Sequence, residues 1–514
     1  MVFGGKAYAR GWRKSSAGLA KAFARQQELL AQPLRPAFPC AMESPALYSQ
    51  VALKVEGLIR SGTLRAGERV PSVRHACQQH GVSVTTVLQA YLLLEDRGLI
   101  EARPKSGFFV RPQVKVKAQE PLISRPPTRA TTVSVGSLQS RLFEATRMPG
   151  VVPFGGAAPG PELLPTVKLN RILAGLCRKA GKRGVGYNMP PGTDSLRREI
   201  ARRLLDCGVN LSPDEIITTS GGTEALALCL RAVTVPGDVV AVESPTYFGL
   251  LHIIEELRLK AVEIPMHPQT GMDLDALEAV LKTRKIAACV AVPNFSNPLG
   301  SLMPEENKRR LVEMLADRDI PLVEDDIFGE IHFGPHRPHV AKAHDQKQLV
   351  MLCGSFSKTL APGYRVGWVA PGRFRARLQT LKLTTTLANA TLPELAIAEF
   401  LATGGYDHYL RSVRRQYEEL VGRMSEAITA AFPCPVKITR PAGGFLIWIE
   451  LPESVDALRL DEMAMLEKIC IAPGPMFSAT QGFRNFIRIS CGHPWSDKVE
   501  RAIGTLGRMV GKLV

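Results

Sequence analysis

Lys358 stands in a turn whose neighbours could carry covalent and phosphate chemistry. The segment Gly354–Thr359 has the sequence G-S-F-S-K-T, and Arg365 follows seven residues after the lysine. A lysine amine can form a Schiff base with an aldehyde, while small hydroxyls and an arginine can hold a dianionic phosphate. One lysine in a Ser-rich turn is weak evidence, so an ordinary turn stays open as the alternative.

Four further segments place polar or aromatic residues where strands are expected to end. They are T-T-S-G-G-T-E-A-L at 218–226, E-S-P-T-Y at 243–247, P-N-F-S-N-P-L-G at 293–300 and V-E-D-D-I-F at 323–328. The first looks like a strand that leads into a helix, where backbone N–H groups and the helix dipole favour a phosphate. Generic turns also collect at strand ends, but five such segments together favour a common binding site.

In this order the segments resemble the cofactor site of the fold-type I aminotransferases, and the resemblance covers about residues 153–514. It implies that pyridoxal 5'-phosphate is the cofactor and that Lys358 is the catalytic lysine to which it is bound. The resemblance also implies a set of phosphate ligands: Gly222, Thr223, Ser355, Ser357 and Arg365.

The same resemblance implies roles around the cofactor ring. Tyr247 is expected to stack on the pyridine, and Asn297 to donate a hydrogen bond to the phenolic oxygen. Asp325 matches the carboxylate that keeps the ring nitrogen protonated, and hence the ring an electron sink. Asn294 is expected to be a turn residue, and Asp326 to serve the local backbone.

Three more positions bear on what the site recognises. Arg488 matches the arginine that clamps a substrate α-carboxylate, as a planar guanidinium can. Tyr187 matches a tyrosine that reaches the phosphate of the neighbouring subunit, which implies a homodimer. Phe328 departs from the family, because many aminotransferases carry a tyrosine there, and this departure puts efficient transamination in doubt.

These segments must be positioned by an α/β domain over residues 150–514. Apolar runs at Val239–Val242, Ala287–Val292 and Pro321–Glu324 alternate with helical stretches, which predicts a mostly parallel central sheet. Ten cysteines lie far apart without a C-x-x-C pair, so we expect reduced thiols and no metal site.

A different pattern precedes this domain, over residues 46–111. Helical spacing is found over Leu47–Leu58, and a second and a third helix are predicted over Ser72–His80 and Ser83–Gly98, with Ser83 as the N-cap. Strands are predicted over Leu99–Arg103 and Phe108–Arg111. This order predicts an α+β winged helix-turn-helix.

Three phrases in this segment, L-R-A-G-E-R-V-P-S-V-R, H-G-V-S-V-T-T-V and L-E-D-R-G-L-I-E-A-R-P-K-S-G-F-F-V, resemble the winged-helix domain of the GntR regulators. The resemblance implies that double-stranded operator DNA is the partner. The implied DNA contacts are Arg74, Ser83, Thr85, Thr86 and, at the wing tip, Lys105. Val84 replaces the arginine usual in the family, so the preferred operator is expected to differ. A small helical domain that binds protein is the alternative.

The charge distribution agrees with a nucleic-acid partner at the N-terminal end. The formal charge is +17, and residues 1–117 hold +11 of it. Residues 1–45 form a basic extension in which Met42 is the expected natural start, with a DNA-contacting arm as the alternative. Residues 112–149 have linker composition, with Pro126-Pro127, and are expected to act as a tether.

No apolar run approaches the ~18 residues of a membrane span, so we expect a cytoplasmic protein with no membrane partner. The two patterns together resemble the MocR subfamily of GntR regulators. The implied function is a transcriptional regulator that senses an amino acid or amine through exchange at Lys358. The alternative is an active aminotransferase with a fused DNA-binding domain. A third interpretation is an enzyme whose N-terminal domain docks proteins.

Overall fold

The computed structural model describes residues 46–60, 63–65, 67–96, 99–103, 106–110 and 118–514. The chain divides into two units, Met1–Lys115 and Val116–Val514. The predicted basic extension over residues 1–45 and the predicted DNA contact Lys105 lie outside the described residues.

The N-terminal unit has the predicted winged helix-turn-helix order. Its elements are α1 (Leu47–Arg60), α2 (Val73–His80), α3 (Val84–Asp96), β1 (Ile100–Arg103) and β2 (Gly107–Val110). The two strands pair antiparallel, with Ile100 opposite Val110. The expected winged helix-turn-helix fold is therefore confirmed.

Local interactions explain where the helices of this unit begin and end. The Ser72 hydroxyl accepts a hydrogen bond from the His75 N–H at 3.3 Å and caps α2, so Pro71 lies just before the cap. Gly81 ends α2 with φ +64°, in the left-handed region that glycine adopts without steric cost. A core of buried residues that includes Val55, Tyr91 and Leu94 holds the helices together.

The C-terminal unit is an α/β domain with a smaller α+β part after it. Its helices are α4 (Gly136–Arg147), α5 (Thr166–Lys179), α6 (Asp194–Leu205), α7 (Gly222–Val233), α8 (Phe248–Glu256), α9 (Leu274–Thr283), α10 (Glu305–Ala316), α11 (Arg375–Thr385), α12 (Thr391–Ala402), α13 (Gly405–Ala431), α14 (Ala457–Leu466) and α15 (Asp497–Leu513). Short 3-10 helices lie at Pro161–Leu163, Gly181–Gly184, Pro213–Glu215, Ala341–His344, Pro362–Tyr364, Gly372–Phe374 and Gly474–Phe477.

The large sheet, within residues 118–514, has the strand order β3-β7-β6-β9-β10-β11-β12-β5, with β8 beside β7. These strands are β3 (Thr131–Thr132), β5 (Ile217–Thr219), β6 (Val239–Ser244), β7 (Lys260–His267), β8 (Gly271–Met272), β9 (Ala288–Ala291), β10 (Leu322–Asp325), β11 (Val350–Ser355) and β12 (Gly367–Ala370). The central strands from β7 to β11 run parallel, while β12 is antiparallel to both of its neighbours. The predicted mostly parallel sheet is confirmed.

A second sheet belongs to the smaller C-terminal part. It has the antiparallel order β13-β14-β17-β16, made of β13 (Lys437–Ile438), β14 (Leu446–Glu450), β16 (Ala472–Pro473) and β17 (Phe486–Ser490). A further short pair joins β4 (Val152–Pro153) to β15 (Ile469–Cys470) in parallel. The last strand, β17, carries Arg488, and its centre is buried.

The expected linker over 112–149 differs from the structure for its part after residue 117. Residues 118–149 belong to the C-terminal unit, where Thr131 pairs with Ala261 of β7 and the Ser124 hydroxyl donates to the carbonyl of Ser244. The prediction was wrong because β3 has only two residues and α4 buries only Leu142 and Ala145. A two-residue strand cannot show an alternation of apolar and polar residues, and a helix with two buried residues has only a narrow apolar face.

None of the helices within the described ranges is long and apolar enough to span a membrane. The described cysteines are free thiols. In the same ranges no group of three or more His, Cys, Asp or Glu residues is placed to hold a metal ion.

Candidate cofactor site and DNA-binding helix

The predicted cofactor residues follow the carboxyl ends of the parallel strands. Asp325 ends β10 and lies opposite Cys353 of β11, and the turn with Lys358 follows β11. Tyr247 and Asn297 stand in the loops after β6 and β9. Since parallel strands end at one edge of a sheet, these loops meet there.

A cavity of about 600 Å³ that opens to solvent lies at this edge. It is lined by the predicted residues Gly222, Thr223, Tyr247, Asn297, Asp325, Ser357, Lys358 and Arg365, and by Leu226, Val292, Ile327 and Phe328. The structure thus brings eight predicted residues together around one space.

Lys358 has an amine that is easier to deprotonate than an exposed lysine. Burial, and to a lesser extent the nearby Arg488, lower the pKa of Lys358 to about 8, although Asp325 opposes the shift. Its Nζ donates a hydrogen bond to the carbonyl oxygen of Ala157. A substantial fraction of the amine is therefore neutral near physiological pH, which a nucleophile requires.

Asp325 is buried at the end of β10. Burial raises the pKa of its carboxyl to about 7, and the adjacent Asp326 adds to the shift. One carboxylate oxygen accepts a hydrogen bond from the Ile327 N–H at 3.1 Å. A buried carboxylate of this kind favours a protonated ring nitrogen as its partner.

The start of α7 and Arg365 form a cradle for an anion. Arg365 donates through Nη1 to the Ser357 hydroxyl and through Nη2 to the Ser220 carbonyl, both at 3.2 Å. Gly221 has φ +82°, and a Cβ at this residue would collide with the Arg365 guanidinium. Ser355 does not line the cavity, but its hydroxyl donates to the Ser357 hydroxyl at 2.9 Å. Helix N–H groups, hydroxyls and a guanidinium are the donors that a phosphate needs.

Tyr247 lines the cavity beside Thr223, and burial raises the pKa of its phenol. A Cβ at Gly249 would collide with the Tyr247 ring, so the ring position requires glycine there. Sequence reasoning missed Gly249. The signal for it, a glycine two residues after an aromatic residue, is too common to be informative.

Arg488 carries a buried charge with few partners. Its side chain is 0% exposed, and its Nη1 donates to the Asn297 side-chain oxygen at 3.3 Å. Its guanidinium carbon lies 5.3 Å and 5.7 Å from the ring centroids of Phe477 and Phe248. Burial lowers the pKa of Arg488 to about 10, and its Nε has no hydrogen-bond partner among the described residues. Its Nη2 donates to the carbonyl oxygen of Gly155.

A buried ion network behind the cavity was missed in the sequence. Asp326 forms an ion pair with Arg337 at 2.7 Å, and Asn294 donates to Asp326 at 2.9 Å. Glu330 pairs with Arg203 at 2.6 Å and with Arg337 at 3.3 Å. The prediction that Asp326 serves the local backbone was therefore wrong, and Asn294 is a buried network member rather than a turn residue.

A second unpredicted pair lies under the phosphate cradle. The Lys382 amine, almost fully buried, donates to the Glu224 carboxylate at 2.7 Å and to Asn389 at 2.6 Å. Glu224 is in the first turn of α7, two residues after Gly222. Lys382 thus neutralises a carboxylate that would otherwise repel a phosphate at this helix end.

Tyr187 does not line the cavity. Its side chain is 80% exposed, on the surface segment between Gly181–Gly184 and α6. Val185 on the same segment is 90% exposed. These two side chains are available to another molecule.

In the N-terminal unit three of the predicted DNA contacts, Ser83, Thr85 and Thr86, lie at the start of α3. The Ser83 hydroxyl accepts from the Thr86 N–H at 3.2 Å, which confirms Ser83 as a helix cap, and bonds the Thr85 and Thr86 hydroxyls at 2.9 and 2.8 Å. Val84 is 53% exposed, and Arg74 is exposed on α2. The helix start therefore presents short polar groups and one apolar side chain.

The residues present fit pyridoxal 5'-phosphate. The cavity combines a depressed-pKa lysine amine, an anion cradle whose shape excludes a Cβ at Gly221, an aromatic ring and a buried carboxylate. Each matches one part of that molecule: the aldehyde, the phosphate, the ring face and the ring nitrogen.

Comparisons with known proteins cover both units. The aminotransferase class I and II family matches residues 163–506, and the gntR family of bacterial regulatory proteins matches residues 47–110. The uncharacterized HTH-type transcriptional regulator YdcR of Escherichia coli K12 is 41% identical over 90% of this chain and 98% of its own length. YjiR of the same organism, which has the same description, is 38% identical over the same shares.

Among solved structures, LysN, the α-aminoadipate aminotransferase of Thermus thermophilus complexed with N-(5'-phosphopyridoxyl)-L-leucine, is similar with a TM-score of 0.67. It is 30% identical, and the match covers 74% of this chain and 99% of that one. The chain therefore belongs to the aminotransferase class I and II family and is a gntR-type DNA-binding regulator of MocR-like architecture with a domain that binds pyridoxal 5'-phosphate.

Proposed function

We propose that the protein binds an operator through α3 and senses an amino acid, or a related amine, in the cofactor cavity. The observation that carries this proposal is Arg488, a fully buried cation whose Nε lacks a partner among the described residues. It reaches Asn297, which lines the same cavity as Lys358. A ligand with both a carboxylate and an amine would engage Arg488 and the Lys358 end of the site together.

When bound, pyridoxal 5'-phosphate supplies an aldehyde that reacts with amines and a ring that withdraws electrons. In the proposed roles Lys358 holds the cofactor, and Asp325 keeps its ring nitrogen protonated. Tyr247 stacks on the ring, and Asn297 donates to the phenolic oxygen. The proposed phosphate ligands are Gly222, Thr223, Ser355, Ser357 and Arg365. Support comes from the convergence of most of these side chains on one cavity.

The proposed assembly is a homodimer in which Tyr187 reaches the phosphate of the partner subunit. Support comes from the exposure of Tyr187 and Val185 outside the cavity. A dimer would also place two recognition helices on one operator, as half-site recognition requires. Of the proposed DNA contacts, Ser83, Thr85 and Thr86 lie at the start of α3 and Arg74 lies on α2, whereas Lys105 is outside the described residues.

The test of ligand sensing uses the full-length protein with its cofactor and an operator fragment. Operator affinity is measured by fluorescence anisotropy with and without each amino acid, and an effector is expected to change it by about 1–3 kcal/mol. Arg488→Ala should abolish this response while the protein keeps the visible absorption of its bound cofactor. An Arg488→Ala protein that still responds to the same amino acid would refute the carboxylate-clamp proposal.

The test of the cofactor site is separate. Borohydride reduction followed by peptide mass analysis should place the cofactor on Lys358, and Lys358→Ala should remove covalent attachment. Attachment to another lysine would refute this role of Lys358.

A working aminotransferase is the second candidate function. The observation that favours it is that Lys358 lines one cavity with Asp325 and Tyr247, and its lowered pKa suits an amine that must gain and lose protons. Against efficient turnover stands Phe328, which is buried and has no hydroxyl to offer the cavity that it lines. Release of keto acid together with conversion of the cofactor to its amine form would establish the enzyme. A purely spectral response without product would favour the sensor.

A further inference from the structure

A second cavity, of about 610 Å³, lies between α4 and α14 in the C-terminal unit. Its apolar wall includes Leu142, Met148, Met465 and Met476. Methionine side chains adapt to differently shaped apolar ligands. The space is thus suited to the apolar body of a small ligand.

This cavity is separate from the cofactor cavity, because the two share no lining residue. Cys470 lines it and also packs against Gly155, where a Cβ would collide with both Cys470 and Leu142. The carbonyl of Gly155 in turn accepts a hydrogen bond from Arg488. The second cavity therefore backs onto the residues that hold Arg488.

The charged residues at this cavity are two carboxylates and one arginine. Asp461 has a side chain that is 17% exposed, and its ion pair with Arg141 is long, at 4.0 Å. The Arg141 side chain is 57% exposed, so much of it extends into solvent. Glu144 adds a second carboxylate at the rim. Burial raises the pKa of Asp461 to about 6, so this carboxylate is ionised at neutral pH and only partly neutralised.

We propose that this cavity binds a small organic cation with an apolar body. The cationic group pairs with Asp461, and the apolar body lies on the methionine-rich wall. A buried carboxylate with a distant counter-ion gains most from a cation that can donate hydrogen bonds at close range. This site is independent of the proposed effector site at Arg488.

The test uses n-hexylguanidinium and the full-length protein loaded with cofactor. A guanidinium does not condense with the cofactor aldehyde as a primary amine would, so the probe reports on the second cavity. Isothermal titration calorimetry should show one saturable site per chain. Asp461→Asn should weaken binding by about tenfold or more, because a charge-assisted hydrogen bond is lost.

Two further variants keep the test decisive if Asp461→Asn affects folding. Arg141→Gln changes an exposed side chain and should tighten binding, because it removes the competing cation. Glu278→Gln is the matched control, since Glu278 is 35% exposed, pairs with Lys282 at 2.8 Å and does not line the cavity. This control should leave the affinity unchanged.

Several outcomes would overturn the proposal. If n-hexanol binds as tightly as n-hexylguanidinium, the positive charge of the probe plays no part in binding. Binding of hexanoate that depends on Arg141 would show an anion site instead. Loss of n-hexylguanidinium binding in Lys358→Ala would place the probe in the cofactor cavity. No heat of binding at millimolar probe would show that the cavity holds no such ligand.

Discussion

Replacement of Glu330 by glutamine measures what the buried ion network contributes to stability. Burial raises the pKa of Glu330, but its ion pairs with Arg203 and Arg337 outweigh this and lower the pKa to about 2, from an ordinary value of 4.5. The difference corresponds to roughly 3 kcal/mol of folding free energy at neutral pH. Glutamine keeps the size and the acceptor oxygen of the side chain, so Glu330→Gln removes chiefly the charge.

The sign of the pH dependence follows from the depressed pKa. The stabilisation is complete above pH 4.5 and is lost as the pH falls from 4.5 toward 2. The difference between the wild type and Glu330→Gln should therefore be the same at pH 7 and pH 5. With the usual unfolding entropy per residue, this free-energy difference corresponds to an unfolding temperature of the C-terminal unit that is about 4 °C lower in Glu330→Gln than in the wild type.

The assay is differential scanning calorimetry of the cofactor-loaded protein. The matched control is Glu278→Gln, because Glu278 pairs with Lys282 at 2.8 Å on the surface, with a side chain that is 35% exposed. Solvent screens such a pair, so the unfolding temperature of Glu278→Gln should match that of the wild type. A fall of less than about 1 °C for Glu330→Gln, or an equal fall for the control, would refute the reasoning.

Three other changes probe the two binding sites. Lys382→Met should lower the affinity for pyridoxal 5'-phosphate on the order of tenfold, because it leaves the Glu224 carboxylate unneutralised at the start of α7. Spectroscopic titration with the cofactor measures this affinity. The double variant Lys382→Met/Glu224→Gln should bind the cofactor as the wild type does. Asp325 raises the pKa of Lys358, so Asp325→Asn should shift the pH midpoint of cofactor attachment below about 8. The midpoint is measured by stopped-flow absorbance after the cofactor is mixed with the cofactor-free protein. An upward shift would contradict the assigned contact between Asp325 and Lys358. Arg74→Ala should weaken operator binding by about 1–3 kcal/mol in an anisotropy titration, and unchanged affinity would remove Arg74 from the interface.

The parts of the site that the sequence predicted are those encoded in short segments. Lys358 and Arg365 are seven residues apart, and Asp325 ends a strand whose apolar run is visible in the sequence. Parallel strands end at one edge of the sheet, so the topology itself brings such segments together. The site residues could therefore be named without knowledge of their distances.

The parts that could not be predicted depend on pairs far apart in the chain. Glu224 and Lys382 are 158 residues apart, and Arg203 and Glu330 are 127 apart. Each of these side chains would look like an ordinary surface charge in the sequence, because only tertiary packing buries it beside its partner. Sequence composition likewise gave no sign that residues 118–149 belong to the C-terminal unit.

The close approach of Gly221 and Arg365 restricts which residues can replace either of them, although they are far apart in the sequence. Any side chain at 221 would meet the guanidinium, and it would also have to adopt φ +82°. A smaller residue at 365 would relieve the collision but not the backbone strain, and Arg365 itself has φ +51°. Among homologous proteins, substitution at 221 is therefore expected to be rarer than at 365, and to occur only where the whole loop before α7 has changed its course.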